Sequence, residues 1–108
     1  MGAQEALPEA SGPGSVVLDI GEDVGAAIIT TPESLAGCEL EIRAAGRAWD
    51  GRHVAVLERR LPSGPIWAGV FPALQEGVWE ARIRDQPDGP SSTFTVAGGR
   101  ATRAHLPG

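Results

Sequence analysis

Apolar and polar residues alternate over several short segments of the chain. The pattern is clearest over 38–43, where Cys38, Leu40 and Ile42 would face a core and the charged residues between them would face solvent. Glycine, proline, aspartate or serine interrupts the chain about every 8–12 residues, a spacing typical of β-sandwiches. No window keeps the apolar period of a helix for three turns, so the chain is predicted to be all-β.

Eight strands are predicted from these boundaries. They cover residues 15–20, 26–31, 38–43, 53–60, 66–71, 78–84, 92–96 and 100–106. The apolar run 26–31 indicates a strand buried on both faces, and a last hairpin is expected at Gly98-Gly99. Short connections favour antiparallel neighbours. The predicted fold is an antiparallel two-sheet sandwich of about 7–8 short strands, transthyretin-like or immunoglobulin-like.

Side-chain phase is ambiguous in two of these strands. In the fourth strand we favour an inward Val54 and Val56, with His53 on the other face. In the fifth strand, Trp67 and Phe71 face either the core or the solvent, and both alternatives stay open. Trp79 fits a core position.

The length of 108 residues fits one domain. Residues 1–14, rich in glycine and proline, are predicted to be a disordered leader, and residues 15–106 a single domain. The first ten residues lack the basic and apolar stretches of a secretory signal. The sequence contains no run of about 20 apolar residues, the length that a membrane-spanning helix needs, so membrane insertion is not expected. The single cysteine, Cys38, excludes an internal disulfide and favours a cytoplasmic location.

Composition and charge narrow the chemistry further. The chain has no lysine and no tyrosine, which excludes Schiff bases, phosphate-binding P-loop lysines and phenol catalysis. Its net charge of −5 argues against a nucleic-acid partner. Residues 1–42 hold eight acids and no arginine, whereas residues 43–108 hold six acids and nine arginines. The two halves either form cross-strand ion pairs or leave a charged pole that helps subunits meet.

Two segments of the second half resemble a known sandwich family. Residues 71–79 read FPALQEGVW, and residues 94–102 read FTVAGGRAT. This pattern resembles the end of transthyretin-like sandwiches, the carboxypeptidase-regulatory-like and Cna-B-like modules, with Trp79 in place of the usual tyrosine. The likeness spans residues 65–106 and implies the same fold. With VLDIG at residues 17–21 and HVAV at residues 53–56, the whole chain also resembles a set of small actinobacterial proteins, a likeness that implies no activity.

The activities that this resemblance implies do not carry over. Cna-B-like domains often form an isopeptide bond from lysine, and this chain has none. Transthyretin-related hydroxyisourate hydrolases end in Tyr-Arg-Gly-Ser, whereas this chain ends in His105-Leu-Pro-Gly108.

Few residues offer a metal or catalytic site. His53 and His105 would form one only if the fold brings them together; otherwise each is a surface residue at a strand end. Asp19, Glu22 and Asp23 surround a glycine-bounded turn, which either binds calcium or simply forms the turn. Cys38 is expected to be an inert core thiol. No cofactor is predicted.

Aromatic and arginine residues are the better candidates for contact. Trp49 lies in the polar loop 46–51 beside Arg47 and Arg52, and Trp67 joins them if its strand faces outward. We therefore expect a non-catalytic binding domain that contacts a second copy of itself or another protein through Trp49, Trp67, Arg47 and Arg52. The alternatives are a small metal-binding protein or hydrolase using His53 and His105, and a carrier that holds a small molecule between subunits.

Overall fold

The computed structural model describes residues 9–10, 18 and 20–107. Within them the elements are β1 (Glu9–Ala10), β2 (Val24–Thr31), a 3-10 turn (Glu33–Leu35), β3 (Glu39–Ala44), β4 (His53–Ala55), β5 (Leu57–Leu61), β6 (Gly64–Gln75), β7 (Gly77–Ile83), β8 (Ser91–Val96) and β9 (Ala101–His105). The strands form two packed sheets, so the predicted all-β sandwich is confirmed.

The first sheet has the order β1-β5-β6-β2-β9, and the second has the order β4-β3-β7-β8. Neighbouring strands are antiparallel except β2 and β9, which are parallel. The chain therefore crosses from one sheet to the other between β8 and β9. The hairpin expected at Gly98-Gly99 is wrong, because this turn leads into a crossover and not into a neighbouring strand.

The predicted strand 53–60 is two strands in different sheets. The chain leaves the second sheet after β4 and enters the first at β5, with Val56 between them. The Val56 amide donates to the carbonyl of Cys38 (2.8 Å), and its carbonyl accepts from the amide of Gly37 (2.9 Å). Val56 is buried and Val54 packs against the core, so their predicted inward phase is confirmed.

The strand β6 is longer than predicted and runs through Pro72, where we expected a loop. Its register with β2 shifts between Gly25 and Ala27, which face Leu74 and Phe71 respectively. Such a bulge tolerates proline, which lacks a backbone donor for the ladder. The irregularity therefore lets one strand continue where a regular ladder would have to end.

Both faces of β2 are buried, as its apolar run predicts. Ala27 and Ile29 face the core between the sheets, whereas Ala26 and Ile28 face an outer layer on the first sheet. The inter-sheet core also contains Leu40, Ile42, Val56, Phe71, Leu74, Trp79, Ala81, Ile83, Phe94, Val96 and Leu106. The outer layer also contains Leu18, Ala68 and Val70.

Leu18 and Ile20 provide the outer cover. Both were expected in the strand 15–20, but neither is in a strand, and the other residues of that range lie outside the described residues. Leu18 is buried on the outer layer, and Ile20 packs against it. Of the predicted leader, Glu9–Ala10 pairs with β5, and the rest lies outside the described residues.

The ambiguity in the fifth strand is resolved by β6. Phe71 is 2% exposed in the inter-sheet core, and Trp67 is half-buried against it. Ala68 and Val70 point to the outer layer. The core alternative for Trp67 and Phe71 is therefore correct, and both faces of this strand are covered.

One buried charge lies beside this layer, on β5. Arg59 is 3% exposed, and its Nε donates to the carbonyl of Ala68 at 3.4 Å. Burial lowers the pKa of the Arg59 guanidinium from its ordinary value, because desolvation disfavours the charged form.

The crossover from β8 to β9 packs closely on the turn before β2. The Gly99 amide donates to the carbonyl of Val24 (3.0 Å). A Cβ atom on Gly98 would overlap the carbonyl oxygen of Glu22 and the Cα atom of Asp23. No such obstacle surrounds Gly21, where an added Cβ would meet no atom within 4 Å.

We therefore predict that Gly98→Ala lowers the free energy of unfolding by about 1–3 kcal/mol, because the methyl group forces the crossover and the turn apart. Urea denaturation followed by circular dichroism measures the change. Gly21→Ala is the matched control and should be nearly neutral. Equal stability of the two variants would show that the crossover does not press on this turn.

Candidate functional site

Cross-strand ion pairs cover the outer face of the second sheet. Register places Arg43 opposite Glu80 and Glu41 opposite Arg82. The Nε atom of Arg43 lies 2.8 Å from Oε1 of Glu80, and that of Arg82 lies 2.5 Å from Oε2 of Glu41. Glu41 with Arg82, and Glu39 with Arg84 (3.0 Å), join acids of the first half to arginines of the second, as one of our two interpretations of the charge distribution predicts.

Trp49 lies over these ion pairs. The Cζ atom of Arg82 is 3.9 Å from the centroid of the Trp49 ring, and that of Arg43 is 4.5 Å away. Such cation–π contacts stabilise a guanidinium that is partly withdrawn from water. Glu41, which pairs with the covered Arg82, is only 8% exposed, although alternation predicted that it faces solvent. Trp49 is accordingly half-buried, so only part of its ring is open to the partner contact that we expected of it.

The loop between β3 and β4 takes its shape from two glycines and several hydrogen bonds. Gly46 and Gly51 have φ angles of 82° and 90°, a region that favours glycine. The Arg47 amide donates to the carbonyl of Ala44 (2.9 Å), and Oδ1 of Asp50 accepts from the Arg52 amide (3.0 Å). These bonds fix the shape of the loop that carries both Arg47 and Arg52 and keep it close to the end of β3.

A pocket of about 490 Å³ opens between this loop and the start of β7. It is lined by Arg43, Ala44, Arg47, Ala48, Asp50, Arg52, Gln75 and Trp79. Trp79 contributes a nearly buried ring whose Nε1 donates to the carbonyl of Gln75 (2.8 Å). The Cζ atom of Arg52 lies 5.7 Å from the centroid of this ring. The pocket, which we call the arginine pocket, therefore combines guanidinium groups with an aromatic surface.

The charge of the arginine pocket is positive, although the chain carries −5. Three arginines and one carboxylate, Asp50, line it. Arg43 is paired with Glu80, but Arg47 and Arg52 form no ion pair with any residue in the described part of the chain. Guanidinium groups bind carboxylates and phosphates with two parallel hydrogen bonds. The arrangement is suited to an anionic group.

The four predicted contact residues do not all lie on one surface. Arg47 and Arg52 line one pocket, and Trp49 lies beside them over Arg43. Trp67 belongs to the other sheet and packs toward the core, so it does not share a surface with them. Arg43, Gln75 and Trp79 are among the lining residues that sequence reasoning missed. The register of β3 against β7 brings Arg43 and Trp79 together, and the hydrogen bond from Trp79 to the carbonyl of Gln75 adds the end of β6; no local pattern reports these contacts.

The two histidines lie on different sheets. His53, on β4, contacts Nη1 of Arg84 (3.1 Å) and lies 3.7 Å from Oε2 of Glu39. His105, on β9, has its Nδ1 2.9 Å from the Thr30 hydroxyl. Across residues 9–10, 18 and 20–107, no three His, Cys, Asp or Glu side chains form a group that could hold a metal.

The remaining candidates from the sequence are the acidic residues of the first turn and the cysteine. Glu22 and Asp23 are exposed on the turn before β2, and Asp19 lies outside the described residues. Cys38 is half-buried and packs against the inter-sheet core, close to its predicted position.

Comparison of the chain with protein-family profiles, with curated proteins and with solved structures found no match. In the part of the chain that the structure describes, no helix has the length and apolar character needed to cross a membrane.

We predict that Trp49→Ala lowers the free energy of unfolding by about 1–2 kcal/mol, because it uncovers the Arg43 and Arg82 guanidinium groups. Trp49→Phe keeps an aromatic face and should retain most of this stability. Chemical denaturation followed by far-ultraviolet circular dichroism compares the three proteins. If the alanine variant is as stable as the unmodified chain, the ring does not stabilise the ion pairs.

Proposed function

We propose that the chain is a non-catalytic binding domain whose contact surface is the arginine pocket, and that its partner presents carboxylate groups. One observation carries this proposal. Arg47 and Arg52 are exposed, have no acidic partner in the described residues, and line one pocket beside the Trp79 ring.

The chemistry of the lining favours binding over catalysis. Asp50 is its one carboxylate, and Oδ1 of Asp50 already accepts a hydrogen bond from the Arg52 amide. The remaining lining residues are arginine, alanine, glutamine and tryptophan, which supply hydrogen bonds and apolar contact but no nucleophile. An acidic side chain could pair with Arg47 or Arg52 and lay its methylene groups against Trp79.

The expected partner is a protein with an acidic segment. The pocket lies at the surface, so each ion pair formed there contributes modestly, and several must act together. Such binding accelerates with charge complementarity and weakens as salt screens the charges. We place the domain in the cytoplasm as part of this proposal, because its one free thiol, Cys38, needs no oxidising compartment.

A fluorescein-labelled octaglutamate peptide is a suitable probe. We predict that Arg47→Glu with Arg52→Glu weakens its binding at least about tenfold, measured by fluorescence anisotropy at low salt. The matched control, Arg60→Glu with Arg103→Glu, makes the same charge change at two exposed positions away from the pocket. Equal loss in both double variants would mean that net charge, and not the pocket, governs binding.

A small-molecule carrier is the second candidate, favoured by the pocket volume of about 490 Å³. Volumes of about 300–1,000 Å³ with a few polar groups and an aromatic wall are usual for small-molecule sites. Its ligand would be an organic anion with a planar apolar body.

Benzoate is the probe for this candidate. Native mass spectrometry should show one benzoate per chain, lost in Arg52→Glu and kept in Arg103→Glu. An unliganded spectrum at millimolar benzoate would remove the carrier from consideration.

A further inference from the structure

An acidic patch lies next to the arginine pocket at the same end of the sandwich. It consists of Glu22, Asp23 and Glu76, which we call the acidic turn. The Glu76 amide donates to the carbonyl of Asp23 (2.9 Å), so the turn before β2 and the turn between β6 and β7 touch. All three side chains are exposed, and none forms an ion pair within the described residues.

The acidic turn and the arginine pocket share a border. Gln75 lines the pocket, directly precedes Glu76 in the chain, and faces Val24 across the first sheet. Unpaired charges of both signs are therefore contiguous on one surface.

An apolar strip lies beside the two charged patches. Val78 is 46% exposed, the one large hydrophobic side chain exposed in the part of the chain that the structure describes. The Ala45 amide donates to its carbonyl (2.9 Å), which places Val78 next to the loop that carries Arg47. Ala45 and Ala48 are also exposed. This end of the molecule offers small apolar side chains that two copies could bury together.

We propose that two copies of this chain associate through this end about a twofold axis, with the arginine pocket of each copy against the acidic turn of the other. In a twofold contact, each residue pair occurs twice. One positive and one negative patch side by side therefore yield two complementary contacts. This inference rests on the proposed function and names its partner as a second copy.

Charge distribution favours a second copy as the occupant. The acids on the outer face of the second sheet, Glu39, Glu41 and Glu80, already pair with arginines of their own chain. The acidic turn and the pocket arginines Arg47 and Arg52 form no ion pair within the described residues, so each patch is available to the opposite patch of a second copy. Two chains of net charge −5 repel in most orientations, so opposed local patches would select this one.

Reversing the charge of one patch at a time tests the proposal. The first variant carries Arg47→Glu and Arg52→Glu, which makes both patches acidic. The second carries Glu22→Arg and Glu76→Arg, which makes both patches basic. Each variant alone should be monomeric, because like charges oppose each other in its own twofold contact. An equimolar mixture should form a one-to-one heterodimer, because both contacts are then complementary.

Native mass spectrometry and light scattering at low salt would measure these states. We expect the unmodified chain and the control Arg60→Glu with Arg103→Glu to be dimers that dissociate in about 1 M salt, where charges are screened over a few ångströms. A monomeric unmodified chain across 1–500 micromolar, dimers of either charge variant, or no heterodimer in the mixture would each overturn the proposal.

The same proteins separate this inference from the proposed function. If the unmodified chain is monomeric but binds octaglutamate through Arg47 and Arg52, the pocket binds acids and only the self-association is wrong. If the peptide does not bind and no dimer forms, both are wrong. If both are right, octaglutamate should compete with the acidic turn and shift the dimer toward monomer.

Discussion

The burial of both faces of β2 is the constraint on which the rest of this structure depends. Ile28 and Ile29 point in opposite directions, and both are fully buried. Each such side chain contributes about 1.5–3 kcal/mol when withdrawn from water, so both faces must be covered. One face is covered by the second sheet, and the other by Leu18 and Ile20. The strand also needs neighbours on both edges, and it finds them in β6 and in the parallel strand β9.

The parallel neighbour shapes the end of the molecule that carries the candidate site. The chain can reach β9 only by crossing between the sheets, and the crossover packs Gly98 against the turn that carries Glu22 and Asp23. At the same end, β3 stops at Ala44 and its loop folds back over the second sheet. Packing of the core thus places an acidic turn and an arginine-bearing loop side by side, although they lie far apart in the sequence.

Ion pairing decides which charges remain available. Along β3 and β7, register matches acids with arginines, and Trp49 covers part of this layer. Arg47 and Arg52 lie beyond the paired strands, in the loop, where no opposite strand supplies an acid. Their charges are therefore available for a partner.

Local sequence patterns correctly predicted the features that depend on residues close together in the chain, which are the core positions and the strand ends. Alternation placed Leu40, Trp79 and Phe94 in the core, and turn residues located most strand ends. It could not reveal the sheet change at Val56, because the side chains keep one phase while the backbone changes partner.

The sequence patterns missed the features that depend on pairing between strands far apart in the chain. Pro72 reads as a strand breaker unless the bulge in its own strand is known, and Gly98-Gly99 reads as a hairpin unless the crossover is known. The site shows the same division. Arg47 and Arg52 stood out by composition, whereas the contribution of Trp79 to the pocket depends on its position opposite Ala44.

Nuclear magnetic resonance of the arginine side chains can show whether Arg47 and Arg52 bind an acidic partner. In a chain labelled with nitrogen-15, the Nε–H signals of Arg47 and Arg52 can be followed as an acidic peptide is added. If the arginine pocket binds acids, these two signals should shift saturably, with those of Arg60 and Arg103 nearly unchanged. Shifts spread evenly over all exposed arginines, or confined to those outside the pocket, would show that the pocket is not the binding site.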